Sequence, residues 1–343
     1  MADFGKGCGM RQTITRARSR LSRLLQRRPT LEIHVPISPT SSFLYQLRCL
    51  THSLRRFGGA YRDAPVIASV GAERIDYGMA ERMPWLAANG IELRWVPEAE
   101  FTALGLRASV AGRFKQDFRS DMVLFLDADT LIRRPLDDLV DAARQHQALC
   151  GVIAHTTPLA SGRLEDADWA RLFAICGLPA PRLDFEHTGW GYMLNEDRHR
   201  FCPAYFNAGV IVAPAALLTA IAPVYCDHLT RLLADVASDF DAQIAIATSI
   251  CQVGVPVRAL PVRFNMSNVP LLEALHYKEI DHAVILHLFA DQHFRRVETF
   301  ASLASLEAFL ERTDLRVVSR MAQEVIQAIF PELAAEESRA IAA

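Results

Sequence analysis

One stretch constrains the fold of this chain more than any other, VLFLDADTLI at residues 123–132. Four apolar residues lead directly into Asp127-Ala128-Asp129, and the apolar run resumes at Leu131. A short apolar run is typical of a central strand that is buried on both faces, as in a parallel sheet. The sequence therefore predicts a buried central strand that ends in a polar site.

The two carboxylates of this stretch can act on one ligand. Residues two apart on a strand point to the same face about 6.5–7 Å apart, so Asp127 and Asp129 converge if the strand turns slightly at its end. Two bare carboxylates in an apolar setting repel each other and lose hydration, whereas a hard divalent cation satisfies both. We therefore expect a metal site. The alternative is that the acids cap the following turn or pair with Arg133 and Arg134.

The rest of the chain alternates between runs typical of strands and runs typical of helices. This alternation predicts an α/β fold with a parallel sheet covered on both faces, in which ligands bind at the carboxyl ends of the strands. We predict strands at residues 31–37, 64–71, 91–97, 123–126, 149–155, 205–214, 255–265 and 282–289. We predict helices at residues 41–57, 83–89, 109–118, 133–146, 168–176, 215–236 and 239–250.

The composition suits one large domain with two appendages. The 343 residues are 51% hydrophobic and 22% charged, which is ample material for a core. We predict a basic N-terminal arm at residues 1–30, a main domain at 31–300 and a helical extension at 301–343, although the length alone also allows two domains. The arm carries eight Lys or Arg between Lys6 and Arg28 and no acid. It is either an amphipathic helix that lies on anionic lipid or a solvated arm.

Composition also excludes several functions. A net charge of −2 gives the body of the protein no electrostatic footprint for nucleic acid. Seven scattered cysteines without a C-x-x-C pair are typical of reduced thiols in a cytosolic protein rather than of a disulfide framework or zinc site. No apolar run approaches the roughly 18 residues of a membrane span, and no signal peptide is recognisable. We therefore expect a cytoplasmic protein, with the basic arm as a route to peripheral contact at the inner membrane surface.

Two further signals accompany the acid pair. His287 lies in the apolar run VILHLF, where a neutral imidazole is either a third metal ligand or a hydrogen-bonded core residue. In Asn207-Ala208-Gly209, the glycine permits close approach of the backbone, and the Asn207 amide offers a donor and an acceptor to a sugar or ribose. All three signals are consistent with one metal-dependent ligand site.

The order of these motifs resembles that of glycosyltransferases with the GT-A fold. VLFLDADTLI, RRPLDDL, YFNAGVIVAP, a helix with Asp241 and Gln243, LPVRFN and ILH follow one another within residues 31–296. The resemblance is to family eight, the group of glycogenin and the bacterial lipopolysaccharide galactosyltransferases. It implies a Rossmann-like, mixed but mostly parallel sheet flanked by helices, with a C-terminal helical segment.

The resemblance also implies a set of site residues. Asp127, Asp129 and His287 would bind manganese or magnesium, which holds the diphosphate of a UDP-sugar. The residues that it places at the nucleotide-sugar are Ala128, Gly209 and Arg113, with Lys115 as the rival of Arg113, and at the transferred sugar Asn207, Gln243 and Asp241. The implied reaction is transfer of the sugar, with retention of anomeric configuration, to a saccharide, glycolipid or protein, as in the synthesis of bacterial cell-surface polysaccharide.

The chain departs from the family pattern at two points. The late histidine of the family is followed by a glycine and then by Lys-Pro-Trp, whose lysine binds phosphate; ILHLFADQHFRR lacks these residues, and Arg295 or Arg296 is the candidate substitute. The paired Asp-Gln of the family reads Asp-Ala-Gln here, which shifts Asp241 by one position. Two alternatives follow: an inactive sugar-binding or scaffold protein on the same fold, and a haloacid-dehalogenase-type phosphatase, whose motif requires Thr or Val where Leu131 stands.

Two roles remain open from the sequence alone. An inverting reaction would need a general base, for which Asp239, Asp241 and His187 are candidates, although both acids also suit the first turn of a helix. The irregular segment at residues 156–200 is the expected acceptor site, where aromatic side chains either stack on sugar rings or anchor a surface loop. Its candidate residues are Trp169, His187, Trp190 and Tyr192.

Overall fold

The apolar run before Asp127 forms the strand Met122–Leu126, which lies in the middle of a seven-stranded sheet. The computed structural model describes residues 28–155, 158, 166–188, 201–236, 238–289 and 294–342. Most of the predicted basic arm, together with Trp190 and Tyr192, lies outside the described residues. The described strands are β1 (Leu31–Ile37), β2 (Val66–Val70), β3 (Ile91–Trp95), β4 (Met122–Leu126), β5 (Thr130–Ile132), β6 (Leu149–Ile153), β7 (Phe185–Glu186), β8 (Phe201–Cys202), β9 (Phe206–Pro214), β10 (Val257–Ala259), β11 (Met266–Ser267) and β12 (Ile285–His287).

The order of the strands decides which loops meet. The central sheet runs β10-β6-β9-β4-β1-β2-β3, and its neighbours are parallel except β9, which is antiparallel to both β4 and β6. Because β1, β4 and β6 share one direction, the loops after these strands and the start of β9 lie at the same edge of the sheet. This is the mixed, mostly parallel α/β sheet that we predicted.

A second sheet of three strands, β11-β12-β5, adjoins the central one. Only Asp127-Ala128-Asp129 connect β4 to β5, so this short link carries the chain from one sheet to the other. β12 runs antiparallel to β5 and brings His287 opposite Thr130. The two acids and His287 therefore lie where the sheets adjoin.

Local chemistry accounts for both ends of the first long helix. The Thr40 hydroxyl caps the first long helix by accepting the Phe43 N–H, and Arg55 and Arg56 in its last turn suit the helix dipole. The described helices are α1 (Ser41–Phe57), α2 (Met79–Arg82), α3 (Pro84–Ala88), α4 (Glu98–Leu104), α5 (Arg107–Gly112), α6 (Asp137–His146), α7 (Asp166–Ile175), α8 (Ala215–Asp235), α9 (Asp241–Val253), α10 (Pro270–Leu275), α11 (Tyr277–Ile280), α12 (Arg296–Thr299), α13 (Leu303–Leu310) and α14 (Val317–Ala342).

Apolar side chains fill both faces of the central sheet. One cluster packs α1, α6, α13 and α14 against the sheet and includes Leu124 and Ile326. The other packs α7, α8 and α9 against the opposite face and includes Val123 and Ile246. The neighbours Val123 and Leu124 join different clusters because successive residues of a strand face opposite sides.

Two predicted elements differ from the structure, and a third is close to its prediction. The helix predicted at residues 83–89 is α3, which Pro84 starts at its first position, and the short α2 precedes it. The helix predicted at 109–118 is the shorter α5, beyond which the chain forms turns with bonds to carbonyls three residues back. The segment 255–265 contributes only β10, and Val262–Asn265 is a 3-10 helix.

Two further expectations concern cysteines and membranes. The described cysteines are free thiols, as predicted; they are Cys49, Cys150, Cys176 and Cys202, which are buried, Cys226, which is half-buried, and Cys251, which is exposed. Among the helices of the described residues, none combines the length and the apolar character that crossing a membrane requires.

Candidate active site

Backbone hydrogen bonds hold the acid turn in place. The Asp127 N–H donates to Gly209 O at 3.0 Å and extends the pairing of β4 with β9. The Thr130 N–H donates back to Asp127 O at 3.2 Å, so the chain turns between the two acids. We expected the acids to converge if the strand turned at its end, and the turn brings both carboxylates towards His287.

The three side chains form a compact donor set. One ligand atom from each of Asp127, Asp129 and His287 lies within 4.8 Å of the other two. His287 Nε2 is 3.2 Å from Asp129 Oδ1 and 3.9 Å from Asp127 Oδ2. Asp129 and His287 are buried, whereas the Asp127 side chain is 33% exposed, which leaves room for further ligands. Two carboxylates and one imidazole suit a divalent cation such as manganese.

A chain of hydrogen bonds fixes the tautomer of His287. The Gly209 N–H donates to Asn207 Oδ1 at 2.9 Å, and because a backbone N–H can only donate, that atom is the amide oxygen. Asn265 donates its Nδ2 to the same oxygen at 3.0 Å, so its own oxygen faces the other way. That oxygen lies 2.9 Å from His287 Nδ1. His287 therefore carries its proton on Nδ1.

This tautomer turns the lone pair of Nε2 towards the two acids. Burial lowers the pKa of His287 to about 4, although the charge of Asp127 acts in the opposite direction, so the ring is neutral at pH 7. A lone pair that faces two carboxylates is repelled by them unless a cation lies between. The residues therefore fit a divalent metal ion, and Asn265 accepts the hydrogen bond that orients the imidazole, as is usual for histidine ligands.

The His287 ring leaves no space for a side chain at Gly209. A Cβ at this position would lie 2.2 Å from His287 Cε1 and 2.7 Å from Nδ1. Such distances are impossible, and the ring cannot withdraw because it is buried between Asn265 and Phe289. Our prediction that Gly209 permits a close approach of the backbone to the nucleotide-sugar stays a prediction; the structure shows in addition a close approach of the imidazole.

Of the two basic candidates that precede the central strand, Arg113 and Lys115, it is Arg113 that lies at the site. Its guanidinium is fully buried, with Nη1 3.6 Å from Asp127 Oδ1 and the group 4.9 Å from the centre of the Phe125 ring. Burial lowers its pKa, although the charge of Asp127 opposes this. Within the described chain, Nε and Nη2 have no hydrogen-bond partner. Its predicted rival Lys115 instead pairs with Glu100 at 2.6 Å, at the surface.

The two candidate substitutes for the phosphate-binding lysine differ. Arg296 pairs with Asp129, and burial lowers its pKa against the effect of the Asp127 charge. Arg295 is exposed and pairs with Glu298 at 2.9 Å. Arg296 is therefore the one that lies at the acid pair.

Two cavities adjoin at Asp127 and Val110. The smaller cavity, of about 190 Å³, lies beyond the end of β1, and its lining includes Pro36, Ile37, Leu106, Ser109, Asp129 and Arg296. The larger cavity, of about 510 Å³, lies beyond the end of β6, and its lining includes Arg113, His155, Asn207, Phe240, Gln243 and Phe289. Asp127 thus lies between a compartment that contains Arg296 and a compartment that contains Gln243.

The start of α9 places its polar side chains differently. Gln243 lines the larger cavity, and its Oε1 accepts the Ala208 N–H at 3.1 Å. Asp241, which we predicted at the sugar, does not line this cavity; it is 1% exposed and pairs with Arg107. Burial raises the pKa of Asp241, and Arg107 opposes this. Asp239 lines the larger cavity instead.

Other predicted contacts are not found. Trp169 is buried in the core, edge-on to Tyr205 at 5.2 Å, because α7 turns its apolar side to the sheet; of the two alternatives, it anchors on the core and offers no face to an acceptor. His187 is half-buried beside β7 and is not part of the lining of either cavity.

The alternative pairing of the acids with the arginines that follow them is also absent. Arg133 and Arg134 both donate to Asp281 O, at 3.1 and 2.8 Å.

Asn265 and Arg107 carry site contacts that the sequence does not single out. Asn265 is the last residue of LPVRFN, so a polar residue that closes a motif was the available signal. Arg107 has no such signal, because its role depends on the contact of its guanidinium with Asp241, which is 134 residues away.

The fold and the site define a class: this is an α/β glycosyltransferase of the GT-A fold. A family model described as the Rhodobacterales glycosyltransferase domain matches residues 42–254, and the chain belongs to this family. The predicted glycosyltransferase activity is thereby confirmed, and the phosphatase alternative is wrong.

Solved structures support the fold. An active-site mutant of LgtC aligns at 17% identity with a TM-score of 0.52, over 87% of this chain and 95% of LgtC. The apo-form glycosyltransferase GlyE of Streptococcus pneumoniae aligns at 12% identity with a TM-score of 0.50, over 90% of this chain and 64% of GlyE. Identities this low show a shared fold and no more. A search of curated proteins finds no match.

Proposed function

We propose that the protein transfers a sugar from a UDP-sugar to a saccharide, glycolipid or protein acceptor, in a reaction that requires manganese or magnesium and retains anomeric configuration. The observation that carries this proposal is the orientation of His287, whose Nε2 lone pair faces Asp127 and Asp129. A donor set whose histidine is oriented by three hydrogen bonds suits a bound cation better than it suits a purely structural role.

The chain's own residues would receive an anionic donor. Asp127, Asp129 and His287 would hold the ion, which when bound supplies a Lewis acid for the charge of the leaving diphosphate. Arg296 beside Asp129 and Arg113 beside Asp127 add positive charge on both sides of the acid turn. The unpartnered nitrogens of Arg113 suit phosphate or sugar oxygens.

The larger cavity suits the transferred sugar. Asn207 and Gln243 line it. The Asn207 oxygen already accepts two hydrogen bonds, so its Nδ2 is left to donate to a sugar hydroxyl, whereas the Gln243 amide can still donate and accept. A front-face displacement with retention needs no side-chain nucleophile, and among the described residues that line the cavity none is an unambiguous one. If the reaction inverts, Asp239 is the candidate base because it lines this cavity.

Thermal unfolding against a panel of nucleotides tests the proposal. UDP, GDP, CMP and ADP are added to the full chain with and without manganese. We expect stabilisation by UDP that requires manganese, because a ligand at about 100 times its Kd adds about 2.7 kcal/mol to the native state. Asp129→Asn, which keeps the side-chain volume, should abolish the manganese-dependent part. Absence of stabilisation by any nucleotide would contradict the proposal and favour an inactive scaffold.

The basic arm supports a second element of the proposal, peripheral contact with an anionic membrane. Between Lys6 and Arg28 the chain has eight basic residues and no acid, and each adds about 1 kcal/mol near such a surface. Contact of this kind suits a lipid-linked acceptor, as in cell-surface polysaccharide synthesis. The full chain should co-sediment with phosphatidylglycerol vesicles at low salt and lose this on removal of residues 1–30. Equal sedimentation of both forms would show that the arm does not bind lipid.

A further inference from the structure

His155 has no role in the site described above, yet it lies in the larger cavity. It follows β6 at the same edge of the sheet as Asp127, and Ala154 before it donates its N–H to Tyr205 O at 2.8 Å. The residue is only 7% exposed. In the part of the chain that the structure describes, its ring nitrogens make no hydrogen bond. Because His155 lines the cavity, a molecule held there can supply the hydrogen-bond partners that the described protein does not.

The ring of Phe289 connects His155 to the candidate metal ligands. It packs on His287 with ring centres 4.3 Å apart and meets His155 edge-on at 5.7 Å. Its backbone is held on both sides by Asn268, which accepts the Phe289 N–H at 2.8 Å and donates to Phe289 O at 3.1 Å. The position of His155 relative to His287 is therefore fixed.

The imidazole of His155 is an uncharged hydrogen-bonding group. Burial, followed by the charges of His287 and His276, lowers its pKa to about 3. A neutral imidazole has one N–H donor and one acceptor nitrogen, which is the pattern that a hydroxyl group matches. An anionic phosphate would use only the donor.

We propose that His155 is a specificity-determining residue that hydrogen-bonds a hydroxyl group of a sugar held in the larger cavity. This inference rests on the proposed function and extends it: the acid turn receives the diphosphate, and His155 recognises a sugar hydroxyl on the other side of Phe289. The hydroxyl belongs either to the transferred sugar or to the acceptor, and kinetics distinguish these two sources.

The test compares His155→Phe with His155→Gln in the full chain. Phenylalanine keeps a ring against Phe289 and removes both nitrogens, whereas glutamine keeps a donor and an acceptor. We first measure binding of UDP with manganese, then hydrolysis of UDP-glucose, UDP-galactose and UDP-N-acetylglucosamine, and then transfer. His228→Phe is the matched control, because His228 is buried in α8, bonds to Thr248 at 2.9 Å and lines neither cavity.

We expect His155→Phe to bind UDP with manganese as the wild type does and to raise a sugar-dependent KM about 10- to 100-fold, with partial rescue by His155→Gln. A higher donor KM in hydrolysis assigns the hydroxyl to the transferred sugar, and a higher acceptor KM alone assigns it to the acceptor. A set of donor analogues, each lacking one hydroxyl group, should identify the hydroxyl that binds His155. For the analogue that lacks this hydroxyl, the KM of the wild type should rise, whereas the KM of His155→Phe should rise no further.

Two results would overturn the inference, and they differ in meaning. If the wild type binds UDP with manganese and turns over a donor, but His155→Phe leaves every KM unchanged, this inference alone fails. Weakened binding of UDP itself by His155→Phe would likewise contradict it, because the residue would then be structural. If no nucleotide binds the wild type, the proposed function fails and the inference falls with it.

Discussion

A single proton position controls the chemistry of the acid turn. His287 can present a lone pair to Asp127 and Asp129 only while its Nδ1 carries the hydrogen, and Asn265 holds it there. This orientation originates at the backbone N–H of Gly209. Because that N–H can only donate, it fixes the direction of the Asn207 amide, which in turn fixes the direction of the Asn265 amide. Hydrogen bonds that link Gly209, Asn207 and Asn265 thus determine the tautomer of a candidate metal ligand.

Removing the support of His287 should weaken metal binding. In Asn265→Leu, the Nδ1–H loses its acceptor and the ring is free to change tautomer, so we expect manganese affinity to fall about 10- to 100-fold. Titration calorimetry with manganese measures this. Asn265→Asp keeps an acceptor for His287 and should lose less. Equal affinity in Asn265→Leu and the wild type would show that the relay does not matter.

Adding one methyl group at Gly209 should have two effects. The Cβ of Gly209→Ala would meet the His287 ring at 2.2 Å, so the ring or β9 must shift. We expect a loss of about 1–3 kcal/mol in the free energy of unfolding, as for other overpacked sites, together with a loss of manganese binding. Urea unfolding and manganese titration measure the two effects.

Gly105→Ala is the comparison for this variant. Its Cβ would meet no atom within 4 Å, but its backbone, at φ 58° and ψ −139°, is in a region that L-residues rarely adopt, which costs about 1–3 kcal/mol. It should therefore lose stability and keep manganese binding. If Gly209→Ala also kept manganese binding, the metal site would not depend on the absence of a side chain at Gly209.

At the scale of elements, a buried charge cluster joins α14 to α1. Glu336 on α14 is 8% exposed and lies 3.1 Å from Arg48 and 3.1 Å from His52, and Asn89 donates to it at 2.7 Å. Burial raises its pKa, but the contacts with His52, Asn89 and Arg48 outweigh this and lower the pKa to about 2. The cluster therefore favours the ionised form of Glu336.

This cluster predicts a pH dependence of stability. Because the folded pKa of Glu336 is below the unfolded value of 4.5, its contribution is full above pH 4.5 and is lost as the pH falls towards 2. The loss is about 3 kcal/mol at most. Glu336→Gln should be less stable at pH 6 and should depend less on pH from 4.5 to 2 in urea unfolding.

The control is Glu332→Gln on the same helix, which removes only an exposed pair with Arg56 at 3.4 Å. Exposed pairs contribute little, so its pH profile should match that of the wild type. A Glu336→Gln profile parallel to that of the wild type would contradict the assignment of this pH dependence to Glu336.

At the scale of the whole molecule, the C-terminal helices belong to the core of the sheet. α14 packs on α1, and Ile326 of α14 lies in the same apolar cluster as Leu124 of β4. The predicted boundary at residue 301 therefore does not separate two hydrophobic cores. A shared core implies that the sheet and α14 unfold together.

Truncating Ile326 tests this cooperativity. Ile326→Ala should lower the free energy of unfolding by about 2–5 kcal/mol, because it removes buried methyl groups and leaves a cavity. Calorimetry should show one transition at a lower temperature. Glu324→Ala, at an exposed position two residues earlier on the same helix, should change the free energy by less than about 0.5 kcal/mol. A separate early transition in Ile326→Ala would mean that the extension unfolds by itself.

Apolar periodicity was sufficient to predict much of the fold. The predictions 31–37 and 41–57 coincide with β1 and α1, because a buried run and a capped amphipathic segment have few alternatives. Boundaries failed where local and tertiary preferences compete. At residues 109–118, α5 ends early, and the turns that follow separate the buried Arg113 from the surface residue Lys115.

The sequence by itself determined the strand–turn acid pair, the alternating α/β pattern and the family resemblance, because these depend on residues that are close together in the chain. Only the tertiary structure decided that Arg296 rather than Arg295 lies at Asp129, that Asp241 is held by Arg107, and that Asn265 supports His287. Each of these contacts joins segments far apart in sequence. The order of the strands and the junction between the two sheets determine which residues meet in these contacts, and no local sequence pattern encodes that arrangement.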